Sequence, residues 1–368
     1  MLRALSDHHH LSHPLGKLGR RGTRQISFDH SRAPPAAYAR WVFTHSSRPR
    51  HMDDFNEPLP GAELYDFKSG ARFDSRFADI FLGARKADGL EVVLKHITRT
   101  EDAVREVEAL EKIGTSPHVV KLLGTHSRPR LKDTMIALEY VPEGDLRAWM
   151  DARAGLSVDP ATVLSIVRSM LQSIATCHAR GVVHRDISPR NFLVKGGNSV
   201  VLADFGSSRL IASASPARCN VGTLWYMAPE IVFGSRHYSP KVDVFGVGCI
   251  AGELLRNKPL FAGSSQLDQI CKLVETLGTP DESTWPELGS LSDWSLLEFA
   301  PRAPQAREHL FPSTEGYPWE AGTDALIRLI VDKMLVYNPE RRSSAAECLQ
   351  ELERIMIISQ DTERNSTI

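Results

Sequence analysis

An α+β fold in two unequal parts is expected for this chain of 368 residues: a small β-rich lobe first, then a larger, mainly α-helical one. Three observations predict it. Between about Glu63 and Gly124, short β-rich runs alternate with one helical pattern. Beyond the run TMIALEYVPEGDL, apolar residues recur at helical spacing in one segment after another. No repeat of about 20 to 50 residues is present to make a solenoid. At about 150 residues per domain the length suits two or three units. A composition of 42% hydrophobic and 24% charged residues supplies enough apolar material for a core.

Residues 1–54 read as a basic, disordered tail, because they show no sustained helical or strand period. The first 50 residues hold nine Lys and Arg against two acids, Asp7 and Asp29, whereas the rest of the chain holds 35 against 43. An Arg-rich, acid-poor leader of this kind is also compatible with mitochondrial import, and His8, His9 and His10 with weak metal binding. Met52, where the acidic pattern begins, is an alternative start.

The first lobe is expected over residues 58–138. FADIFLGARK and LEVVLKHI are its strands, and EDAVREVEALEKIG is its helix, with Glu101 and Asp102 favouring the N-terminal dipole and Gly114 ending it. The second lobe is expected over 143–357, built on ATVLSIVRSMLQSIATCHARG, PKVDVFGVGCIAGELLRN and TDALIRLIVDKML, with a polar tail at 358–368. Five cysteines, widely spaced and without a CxxC pair, disfavour a disulfide framework and a zinc site. No segment approaches about 18 uninterrupted apolar residues and no secretory leader is present, so the expected location is inside the cell, in cytoplasm or nucleus. A net charge of -1 gives no sign of a nucleic-acid partner.

Three strings carry chemistry in the second lobe: HRDISPRN at 184–191, DFG at 204–206 and APE at 228–230. The strand VVLK, ending at Lys95, lies upstream. A lone DFG is an ordinary turn, but four such elements in this order and spacing are not coincidence. With these residues the chain resembles the eukaryotic protein kinase family from about Leu64 to Leu352, most closely the group of cyclin-dependent and MAP kinases. The resemblance implies the bilobal kinase fold and an ATP- and Mg²⁺-dependent transfer of the γ-phosphoryl group to Ser or Thr hydroxyls of protein substrates. It also admits a pseudokinase scaffold that transfers nothing.

By the same resemblance, Lys95 contacts the α- and β-phosphates and takes a carboxylate partner from the first-lobe helix, Glu106 in preference to Glu108. Asp186 accepts the proton of the substrate hydroxyl, Thr223 lies beside it, and Arg190 offers a guanidinium to the γ-phosphate. Asn191 and Asp204 are the magnesium ligands. The adenine slot is formed by Ile80, Val93, Leu138 and Leu193 with the hinge 139–142, where the backbone of Glu139 to Val141 bonds the base and Asp145 takes a ribose hydroxyl. Asp243 anchors the catalytic loop, and Arg342 pairs with Glu230. A regulatory subunit is left open.

The pattern is broken in places. Counting back from Lys95 makes 73–80 the phosphate-binding loop, FDSRFADI, with Phe73, Ser75 and Ala78 where glycines are expected. Glycine serves there because backbone must approach phosphate closely, so weak ATP affinity or slow turnover is expected. Ser188 stands where Ser/Thr kinases carry a lysine. Arg185 implies a basic pocket for a phosphorylated activation loop, yet Arg218 occupies the usual acceptor position and Ser213 and Ser215 are the nearest hydroxyls. Met227 replaces an arginine, which makes a requirement for proline after the target residue doubtful.

Overall fold

The first lobe owes its sheet to the alternation of inward and outward residues along its strands. The structure, a computed structural model, describes residues 24–26, 58–73, 78–128, 130–212, 222–237, 239–312 and 321–366. Short β1 (Arg24–Ile26) stands apart from the lobe and pairs in parallel with a strand at Leu297–Phe299. These three residues depart from the expectation of no regular structure over 1–54; the remainder of that tail, with His8, His9 and His10, lies outside the described residues.

In the first lobe β2 (Tyr65–Phe73), β3 (Asp79–Arg85), β4 (Glu91–Ile97), β5 (Leu122–Arg128) and β6 (Asp133–Glu139) form an antiparallel sheet ordered β2-β3-β4-β6-β5. Register pairs Ile80 with Lys95, Lys95 with Ile136, and Val93 with Leu138, and opposed residues share a face. One face therefore presents Ile80, Val93, Lys95, Ile136 and Leu138. The other buries Tyr65, Phe81, Val92, Leu94, Met135 and Ala137 in a small core of its own. Helix α1 (Thr100–Ile113) turns Ala103, Glu106, Leu110 and Ile113 inward, a helical stripe in which Glu106 is the single acid. It ends at Gly114, whose φ of 71° few other residues adopt.

The second lobe begins with α2 (Leu146–Asp151) and α3 (Pro160–Ala179), each started by an aspartate cap: Asp145 accepts from the Ala148 N–H and Asp159 from that of Thr162. Then β7 (Val182–Val183) pairs antiparallel with β10 (Arg209–Leu210), and β8 (Phe192–Lys195) with β9 (Ser199–Leu202). These short ladders fix both ends of the loops that carry HRDISPRN and DFG. After α4 (Pro229–Val232) comes α5 (Lys241–Arg256), in which every residue from Val242 to Leu254 is buried. Such a helix is central, and its two buried acids, Asp243 and Glu253, each need partners. Helix α6 (Gln266–Leu277), β11 (Leu297–Phe299), α7 (Arg307–Leu310), α8 (Ala321–Leu329) and α9 (Ala345–Ser366) complete the lobe.

Two features of the second lobe have no counterpart in the sequence pattern. The helical pattern TDALIRLIVDKML closes in a wider π turn at Ile330–Met334, where Leu335 N–H donates to Ile330 O, so that Met334 and Leu335 come against α5 at Gly248. Helix α9 runs on to Ser366, into the expected polar tail, since SQDTERNS contains neither proline nor glycine to break it.

Candidate active site

Strand β4 delivers Lys95 to the cleft face of the sheet, α1 brings Glu106, and the turn after β9 brings Asp204. The Lys95 ammonium donates to both oxygens of Glu106, at 2.9 and 2.7 Å, and to Oδ1 of Asp204 at 2.8 Å. Glu108 is exposed, so the structure places Glu106 and not the alternative at Lys95. Glu106 is 1% exposed, whereas half of the Asp204 side chain stays open to the cleft. Burial works against the charge on Lys95, but the two carboxylates outweigh it and hold the ammonium above its ordinary value. Lys95 in turn holds Asp204 below the usual carboxylate range.

Asp204 sits at φ 61°, a left-handed conformation tolerable for Asp, and Phe205 beyond it is fully buried, edge-on to His184 with ring centroids 4.9 Å apart. The catalytic loop is anchored on Asp243, which accepts from the backbone N–H groups of His184 at 2.9 Å and Arg185 at 2.8 Å and meets His178 Nε2 at 2.8 Å. Arg185, at φ 70°, folds back so that its guanidinium donates to Ser207 O. Asn191 Nδ2 donates to Asp186 O at 2.7 Å. Asp186 Oδ1 accepts from the Thr223 N–H at 2.8 Å and from its hydroxyl at 2.9 Å. Burial pushes Asp186 up from its ordinary value, Asp204 adds to the push, and His184 and the Thr223 bonds oppose it.

Of the residues expected to line an adenine slot, Ile80, Val93 and Leu193 are half-buried and Leu138 is buried. Leu193 is brought under the hinge by a bridge to Asp145 and a bond from Val194 N–H to Gly144 O. The Glu139 N–H is committed to Lys121 O, while the Val141 N–H and C=O make no hydrogen bond among the described residues. Asp145 already caps α2, yet one carboxylate can serve a helix and a ligand hydroxyl together.

The chain from residue 75 to 352 matches the model of the protein kinase domain. It belongs to the protein kinase family. Among curated relatives, cyclin-dependent kinase 20 of Mus musculus is 34% identical over 280 residues, 73% of this chain and 77% of the relative, and that of Pongo abelii is 33% identical over the same span. Among solved structures, a chain from the CAK complex of Chaetomium thermophilum bound to ATP-gamma-S superposes with a TM-score of 0.68 at 27% identity, covering 78% of this chain and 90% of that one.

Other expected residues of the kinase fall as follows. Glu230 and Arg342 form a buried bidentate pair, both bonds at 2.8 Å. Arg190 is exposed and makes no hydrogen bond or ion pair among the described residues, and Ser188 is 3% exposed beside it. Strands β2 and β3 close with Phe73 opposite Ile80, and Ala78 is half-buried; residues 74–77, with Ser75, lie outside the described residues, as do Ser213, Ser215 and Arg218. Sequence reasoning missed Glu253, although an acid inside the apolar run VGCIAGELL is the signal of a buried group that must have a partner. It also missed Gly222 and Gly246, where a Cβ would meet Arg185 O at 2.7 Å and Ile187 Cβ at 2.7 Å.

Proposed function

We propose that this kinase transfers the γ-phosphoryl group of ATP to Ser or Thr hydroxyls of protein substrates. The observation that carries the reading is the Lys95 ammonium shared between Glu106 and Asp204 above a buried Phe205. That arrangement gives a triphosphate a fixed cation and leaves Asp204 facing the cleft. With Asn191 Nδ2 held by Asp186 O, its Oδ1 is the atom left to meet a cation, so one amide and one carboxylate oxygen form a hard donor pair that suits Mg²⁺. A magnesium ion held by Asn191 and Asp204 would supply charge neutralisation at the phosphates.

Lys95 orients the phosphate chain, and the Val141 backbone holds the base. Asp186 takes the proton of the attacking hydroxyl as its oxygen bonds to the γ-phosphorus and the bond to the β–γ bridging oxygen breaks. Thr223, on the same Asp186 oxygen, keeps that carboxylate pointed at the acceptor. Its small hydroxyl in GTLWYMAPE supports Ser or Thr in preference to Tyr. The relatives' name, cyclin-dependent kinase, supports a cyclin-class regulatory subunit as a partner.

Purified chain, radiolabelled ATP and a mixed peptide library test the reading. Metal-dependent labelling of Ser and Thr that Asp204→Ala abolishes is expected. Nucleotide binding without transfer would make the chain a pseudokinase scaffold, the outcome that the missing glycines at 73, 75 and 78 favour.

A further inference from the structure

His96 directly follows Lys95 on β4, and strand alternation turns it to the opposite face of the sheet. It is 3% exposed there, between carboxylates from two other strands. Its Nε2 lies 3.0 Å from Oδ2 of Asp133, at the start of β6, and its Nδ1 lies 3.7 Å from Oδ2 of Asp79, at the start of β3. Asp133 is itself buried and also accepts from Arg128 of β5, through Nε at 3.1 Å and through Nη2. Burial works against the charge on Asp133, but the bonds from Arg128 and His96 outweigh it and hold the carboxyl below its usual range. An ionised carboxylate only accepts, so the proton between the two belongs to His96 Nε2. Arg128 in turn donates through Nη1 to Pro58 O, in the segment that leads into β2.

Phosphoryl transfer uses none of these side chains, yet their placement bears on the nucleotide. Asp79 stands opposite His96 in the ladder, and the next pair along is Ile80 opposite Lys95. The two pairs are adjacent rungs of the same strands and face opposite ways. Ile80 is expected against the base and Lys95 at the phosphates, so a contact that fixes the outer rung also fixes the spacing of the inner one. Asp79 is the first residue of β3, where a ladder opens most easily, and a tie to a buried partner opposes that opening. We propose that Asp79, His96 and Asp133 are positioning residues for the nucleotide: a polar relay, grounded by Arg128, that holds the start of β3 against β4 and keeps Ile80 and Lys95 at the separation a nucleoside triphosphate requires.

This deepens the phosphotransfer reading and rests on it for the identity of the ligand, whereas the relay itself is a matter of geometry. Asp79→Asn keeps the shape of the side chain and removes its charge. His96→Gln keeps a donor for Asp133 and offers Asp79 no second nitrogen.

The test compares the full chain with Asp79→Asn, His96→Gln and the double variant. It reads the Kd of a fluorescent ATP analogue with Mg²⁺, backbone hydrogen exchange without nucleotide, and the KM for a phosphorylated peptide substrate. Each single change is expected to weaken nucleotide binding about three- to fivefold, the upper range for an ion pair near the surface, with the peptide KM within twofold of the parent. Exchange at residues 79–82 is expected to rise by a similar factor, with α5 unchanged. The double variant is expected to be no worse than the poorer single one, because Asp79 acts through His96. Losses that multiply in the double variant overturn the relay, as does unchanged exchange in both singles. Faster exchange with unaltered nucleotide affinity leaves a purely structural cluster and overturns the positioning role. A parent chain that binds no nucleotide defeats the proposed function and the positioning role with it, and the exchange arm still decides whether the relay exists. Should His96→Gln fail to fold, exchange and affinity in Asp79→Asn decide alone.

Discussion

Gly246→Ala is the sharpest test of how the catalytic loop is seated. Alanine is the better helix former by about 1 kcal/mol, so in an exposed helix the change would stabilise the kinase. Here the new methyl would lie 2.7 Å from Ile187 Cβ, 2.8 Å from its Cγ2 and 3.4 Å from its carbonyl oxygen. Carbon atoms need about 3.5 to 4.0 Å, so α5 and the loop must separate by roughly 1 Å. Ile187 is 4% exposed and joined to Asp186, whose neighbours are tied to Asp243, so the loop cannot yield without moving the carboxylate. Overpacking of this kind costs about 1–3 kcal/mol; set against the helix gain, the net loss of stability is about 0–2 kcal/mol. A displacement of about 1 Å at the reacting groups costs on the order of 100-fold in rate. Urea unfolding and kcat with peptide, measured on the same preparations, should therefore separate: small loss of stability, large loss of turnover. A Gly246→Ala protein that is more stable than the parent and fully active refutes the reasoning.

Glu230→Ala leaves the Arg342 guanidinium buried with only the carbonyls of Val336, Lys241 and Tyr337; a loss of about 3–5 kcal/mol is expected by denaturant titration, and less than about 1 kcal/mol would show that the carbonyls suffice. Thr223→Val removes a hydroxyl bond that opposes the upward push on Asp186. Because Asp186 must be ionised to take a proton, activity falls as pH drops through its raised value, and the acid limb of kcat against pH should move to higher pH in Thr223→Val; a limb that stays put shows that another group sets it. Phe73→Gly, Ser75→Gly and Ala78→Gly together should lower the KM for ATP several-fold, since glycine allows close backbone approach to phosphate; an unchanged KM shows that these three positions do not limit ATP binding.

Much of this site was legible because phosphoryl transfer asks for few groups in a fixed chain order. Lys95, Asp186, Asn191 and Asp204 could be placed from HRDISPRN, DFG and VVLK, and they converge on one cleft. Glu106 was legible for a different reason: it shares the inward stripe with Ala103, Leu110 and Ile113, whereas Glu108 falls on the outer face. What stayed hidden depends on contacts between segments far apart in the chain. No local pattern says that Arg147 meets Glu253, or that Gly246 is the point where Ile187 touches α5. The register of β1 against β11 has no local signal either, because three residues of a basic tail acquire a strand only by meeting partners 273 positions away.

Helix α5 carries a further consequence for the chemistry. Gly246 and Glu253 are seven residues apart, two helical turns, and so share a face. One touches the catalytic loop at Ile187 and the other holds Tyr226 of the substrate-side loop. Asp243, one turn earlier, anchors the backbone of His184 and Arg185. On the proposed mechanism, the base and the loop beside the acceptor hydroxyl are thus both set against a single helix, besides the bonds of Thr223 to Asp186. Perturbations along that helix should be non-additive: Gly246→Ala, which pushes the catalytic loop away from α5, and Tyr226→Phe, which frees the substrate-side loop, damage the same alignment. Their combined loss in kcat/KM for peptide is expected to be smaller than the product of the two single losses; full multiplicativity would mean that α5 supports the two loops independently.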